Sequence, residues 1–66
     1  MNVLLNGELT DLPEGTTVAR ALAGLDLPDR GVAVAVDREV IPRGEWDRMT
    51  LGDGMRVEVV RAVQGG

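Results

Sequence analysis

The chain has 66 residues, with 11 acidic against seven basic side chains for a net charge of −4, and it contains no cysteine and no histidine. A chain this small forms one domain that buries only about 60% of the surface its unfolded form exposes, so stability must come from efficient packing rather than from disulfides or thiolate zinc sites. All seven basic residues are arginines set singly at positions 20, 30, 38, 43, 48, 56 and 61, which excludes the clustered positive charge that grips a nucleic-acid backbone.

Residues 1–5 form a short apolar run with Val3 and Leu5 on one face, and the run stops at Asn6-Gly7, a strong two-residue hairpin signal. A second strand is expected over 8–12, broken by Pro13, Glu14 and Gly15. Two strands alone are marginal in water, so the apolar face of this hairpin needs cover. Thr16 or Thr17 offers a hydroxyl to cap a helix. Arg20 rather than Glu follows three residues after Thr17, so there is no capping box. Val18, Ala21, Leu22 and Leu25 then recur at the spacing of a helix lying on a sheet. Gly24 is the expected stop, in the left-handed conformation, and Pro28 prevents continuation.

Residues 31–36 are the clearest strand, with Val32, Val34 and Val36 on one face and Ala33 and Ala35 on the other. The alanine face is covered, or its small side chains merely tolerate solvent, or it is part of an exposed apolar patch used for docking. Asp37-Arg38 turns the chain into Glu39-Val40-Ile41, a short edge strand ended by Pro42. Residues 44–48 read as an irregular or single helical turn anchored by Trp46. Gly52-Asp53-Gly54 forces another turn, and residues 55–59 alternate as a half-buried strand should. Val60 and Ala62 then fall on the face of Arg56 and Glu58, so a solvent-facing surface turns apolar just before the end.

The order predicts an α+β fold of the β-grasp, ubiquitin-like type: a mixed four- to five-stranded sheet with one helix packed on one face. The last strand belongs at a central position, with Val3, Leu5, Val18, Leu22, Val34, Val36, Val57 and Val59 in the core. Residues 1–62 form the domain and 63–66 a flexible tail, whose four residues reach roughly 13 Å when extended.

Chemistry inside the domain is sparse. Asp26 with Asp29, and Glu45 with Asp47, have the spacing of ordinary surface carboxylates, and Gly52-Asp53-Gly54 lacks the Lys-Ser/Thr ending of a phosphate loop. No catalytic residue and no metal site is expected, and no bound cofactor. The reactive group that remains is the main-chain carboxylate of Gly66, reached through Val63, Gln64 and Gly65. On its own, a Gly-Gly end is most often a frayed terminus. A carboxylate is a poor electrophile, so it reacts only after another protein converts it to an acyl donor such as an acyl-adenylate. Two residues without Cβ atoms suit a narrow channel leading to such an enzyme's ATP. Val60 and Ala62, with Ala33 and Ala35 as weaker candidates, are the expected docking surface. Without lysine the chain cannot form lysine-linked polymers of itself. No run approaches the roughly 18 apolar residues of a membrane span, and the first six residues lack the basic region of a signal peptide, so the expected location is cytoplasmic.

The stretches Leu12-Pro13-Glu14-Gly15-Thr16-Thr17-Val18-Ala19, Gly31-Val32-Ala33-Val34-Ala35-Val36, Ile41-Pro42-Arg43 with Trp46, and Val57 onward to Gln64-Gly65-Gly66 resemble the ThiS sulfur carriers of thiamin biosynthesis. Asp37 stands where such proteins often have Asn. The resemblance implies that a ThiF-like adenylyltransferase consumes ATP to activate Gly66. Sulfur originating from cysteine, through a cysteine desulfurase or another relay protein, then gives a thiocarboxylate that thiazole synthase, ThiG, uses to build the thiazole ring. It implies no catalysis by the carrier; that no nucleic-acid or membrane partner is expected rests on the scattered arginines and the lack of a long apolar run. The rival readings are the small subunit of molybdopterin synthase, a ubiquitin-like modifier, and a β-grasp binding module with an idle tail.

Overall fold

The computed structural model describes residues 1–25, 27 and 31–61. Strands β1 (Asn2–Leu5) and β2 (Glu8–Asp11) precede helix α1 (Val18–Ala23). Strands β3 (Val32–Val36) and β4 (Glu39–Ile41), a 3-10 turn (Arg43–Glu45) and strand β5 (Arg56–Arg61) follow. The five strands form one sheet in the order β2-β1-β5-β3-β4, with β5 parallel to β1 and antiparallel to β3. This is the β-grasp arrangement, with the last strand at the centre.

Both hairpins are set by local chemistry. Asn6 and Gly7 have φ of 51° and 79°, and Asp37 and Arg38 have φ of 49° and 73°. Two successive positive φ values make the tight turn whose twist matches paired strands. Asx side chains then extend the ladders where main-chain pairing runs out. Asn6 Oδ1 accepts the Val59 N–H at 2.8 Å, Asp37 Oδ1 that of Arg56 at 3.0 Å, and Asp53 Oδ1 that of Asn2 at 2.7 Å.

The six-residue helix is too short to be stable by propensity, and its first-turn amides show what holds it. Val18 and Ala19 donate to the carbonyls of Met49 and Trp46 at 2.9 and 3.0 Å, and Arg20 donates to Thr17 Oγ1 at 3.2 Å. Gly24 ends the helix as expected but not in the left-handed region: its φ is −79°. Leu25 N–H turns back to Leu22 O at 2.9 Å, a tight closure that needs no left-handed residue.

Between the helix and the sheet, Val18, Ala21 and Leu22 of α1 pack with Val3, Val34, Val36, Ile41, Leu51 and Val57, all buried. Leu5 and Val59, expected in the core, are half-buried and pack against its edge. Ile41 and Leu51 join it instead. Pairing opposite Val34 turns Ile41 inward, and Leu51 is held in a loop by its N–H bond to Thr16 O at 2.8 Å. Trp46 anchors the rim: its indole N–H donates to Ile41 O at 2.9 Å and the Arg43 guanidinium lies 5.2 Å from the ring centre.

Candidate functional site

The sheet has one covered face and one open face, and strand parity decides what the open face carries. Val60 lies opposite Ala33, and Ala35 lies between Glu58 and Val40. Ala33 is exposed and Ala35 half-exposed, so the alanine face of β3 is open rather than covered. Val60 is 59% exposed and Val40 is 70% exposed. Three of the four docking residues expected from the sequence, Val60, Ala33 and Ala35, are thereby brought into one apolar patch, and Val40 extends it. The fourth, Ala62, lies outside the described residues.

A second apolar pair, Leu4 opposite Leu9, sits on the same face beyond β5, with Leu9 68% exposed. Leu4, Leu9 and Val40 are absent from the sequence-based docking set. A signal for them existed: a two-residue turn at Asn6-Gly7 forces Leu4 opposite Leu9, and one at Asp37-Arg38 forces Ala35 opposite Val40. Arg56 and Glu58 of β5 run between the two apolar groups, Arg56 beside Leu4 and Glu58 beside Ala35.

Strand β5 leads from this face toward the expected reactive end. Gly66, Gly65, Gln64 and Val63 all lie outside the described residues; the root that leads to them does not. On the β1 side the ladder closes with Asn6 N–H donating to Val57 O at 2.8 Å and the Asn6 side chain taking Val59 N–H. On the β3 side pairing continues to Arg61 opposite Val32. Asn6, Leu25, Leu27, Val59 and Arg61 line a surface depression of about 240 Å³ beside this root.

Among the described residues no group of three or more His, Cys, Asp or Glu could hold a metal ion, and no helix is long and apolar enough to cross a membrane. What the arrangement does offer is a rigid platform, an apolar open face, and a central strand that ends beside it.

The ThiS family model matches residues 3–66. The chain is 29% identical over 66 residues to the sulfur carrier protein ThiS of Escherichia coli K12, covering 100% of both chains. It is 30% identical over 66 residues to a thiazole synthase of Paramagnetospirillum magneticum, of which it spans 20%. A crystal structure of the thiamine biosynthesis protein ThiS from Geobacter metallireducens superimposes with a TM-score of 0.83 at 30% identity, covering 100% of both chains. The chain belongs to the ThiS family, the sulfur carriers of thiamin biosynthesis, and is a carrier rather than a catalyst.

Proposed function

We propose that Gly66 is where the sulfur is carried. A ThiF-like adenylyltransferase joins its carboxylate to the AMP portion of ATP with loss of pyrophosphate. A sulfur nucleophile derived from cysteine then displaces AMP; sulfide leaves the thiocarboxylate directly, and a persulfide leaves an acyl disulfide that a thiol reductant cleaves to it. Thiazole synthase accepts that sulfur for the thiazole ring. Residues 1–62 act as the platform and 63–66 as the reaching segment. The docking patch of Val60, Ala33 and Ala35 holds the partner, with Ala62 as a further docking residue, while Val63, Gln64 and Gly65 lead Gly66 inward. The process is cytoplasmic, where ATP is at hand.

The observation that carries this reading is the family match, which runs through residue 66 and so includes the Gly-Gly pair. The match of the whole chain to one-fifth of a thiazole synthase supports that enzyme as the acceptor. The relatives and the solved structure described above are proteins of thiamin biosynthesis rather than subunits of molybdopterin synthase. The test is a reconstituted pathway with purified adenylyltransferase, sulfur source and thiazole synthase. Full-length chain acquires the mass of one oxygen-to-sulfur exchange and supports thiazole formation. Chain lacking Gly66 does neither, and thiazole formation by that truncated chain would sink the reading.

A further inference from the structure

The open face has a charged feature at the end of β5 remote from the tail. Arg38 and Arg56, with Leu4, Asp37 and Gly54, line a surface depression of about 250 Å³. It shares Leu4 and Arg56 with a neighbouring depression of about 550 Å³ that reaches Glu58. The chain carries a net charge of −4, yet no ion pair among the described residues engages either guanidinium. Asp37 is the one carboxylate in the first depression, and its Oδ1 accepts the main-chain N–H of Arg56 at 3.0 Å.

Arg38 is also held where its residue type is disfavoured. Its φ of 73° at the second turn position is one that glycine fills without strain, as Gly7 does at the matching position of the other hairpin. The hairpin turn accounts for the backbone angle but not for an arginine in place of glycine there, and no ion pair among the described residues engages its side chain.

We propose that Arg38 and Arg56 form an anchor for a carboxylate side chain on the protein that docks over the open face, with thiazole synthase as that partner; this rests on the reading under Proposed function. Two guanidiniums on one carboxylate give directional, charge-assisted hydrogen bonds. Glu58, two residues along β5, repels a carboxylate that lands too near the tail, so the anchor sets direction as well as attraction. Arg56 and Arg61 open and close β5, which at ~3.3 Å per residue puts the anchor about 17 Å from the root of the tail. A partner that holds the tail at one end and the anchor at the other cannot rotate about either point.

The experiment measures binding of the full chain to purified thiazole synthase by calorimetry at low and high salt, for wild type, Arg38→Gly and Arg56→Gln. Arg38→Gly removes charge and strain together, so its melting temperature stays at or above that of wild type. Each variant is expected to bind about tenfold more weakly at low salt and to show less salt dependence. Binding within about twofold of wild type by both variants overturns the anchor while leaving the carrier reading intact. Wild-type chain that fails to bind thiazole synthase at all overturns the anchor together with the partner assignment. A wild-type chain that self-associates through Arg38, becoming monomeric on Arg38→Gly, overturns it in favour of a second copy as occupant.

Discussion

Val60 is the exposed apolar side chain nearest the described end of β5, 59% exposed opposite Ala33. Its contribution to the isolated fold is therefore small, whereas covering it with a partner removes apolar surface worth about 25 cal/mol per Å². Val60→Asp is expected to leave stability within about 0.5 kcal/mol of wild type. The same change should weaken thiazole synthase binding by about tenfold or more, because it places a carboxylate beside Glu58 in a surface that must be desolvated. Chemical denaturation and calorimetry on one preparation check both halves. A variant that unfolds would show that Val60 belongs to the core.

At the scale of elements, α1 shows how a helix of six residues survives. Two of its first-turn amides are satisfied by the carbonyls of Met49 and Trp46, so they depend on the loop between β4 and β5 rather than on the helix itself. The third depends on Thr17 Oγ1 alone. Thr17→Ala should accordingly cost about 1 kcal/mol, read as a lower denaturant midpoint with an unchanged slope. No midpoint change would mean that water replaces the hydroxyl at no cost. The helix pattern of Val18, Ala21 and Leu22 was legible in the sequence. The carbonyls that secure its start come from residues about 27–31 positions away, a distance at which local pattern is silent.

For the whole molecule, β5 is the keystone: it joins the β1–β2 hairpin to the β3–β4 hairpin, and neither hairpin pairs with the other. Val57, the second residue of β5, is fully buried. Val57→Ala opens a cavity between the two halves and should cost ~2 kcal/mol. That is a large share of the roughly 3–10 kcal/mol expected for a domain of this length. Because β5 pairs with both halves and one core of buried residues runs beneath them, they should melt together. Trp46 fluorescence, which reports the β4 side, and far-ultraviolet circular dichroism, which reports the whole, should shift to the same new midpoint. Separate midpoints would show two independently stable halves.

Alternation and turn chemistry, both local, were enough to place the two hairpins, the helix and a last strand, because a period of two and a pair of positive-φ turns leave little choice of register. Whether the sheet had four or five strands was left open, and the central position of the last strand was expected from its need for cover rather than from any local pattern. The family resemblance in Gly65 and Gly66 was likewise legible, since it rests on residue types and not on contacts. Core membership was legible only in part. Ile41 and Leu51 are inside because of where β4 and a loop are held, while Leu5 and Val59 lie toward the margin, and no local pattern distinguishes these cases. The open face was the other thing left to tertiary structure. Val60, Ala33, Ala35 and Val40 belong to three strands scattered over 28 positions of sequence. They become one patch, with Arg38 and Arg56 at its far end, only because β5 returns to lie between β1 and β3 and leaves that side of the sheet without a helix.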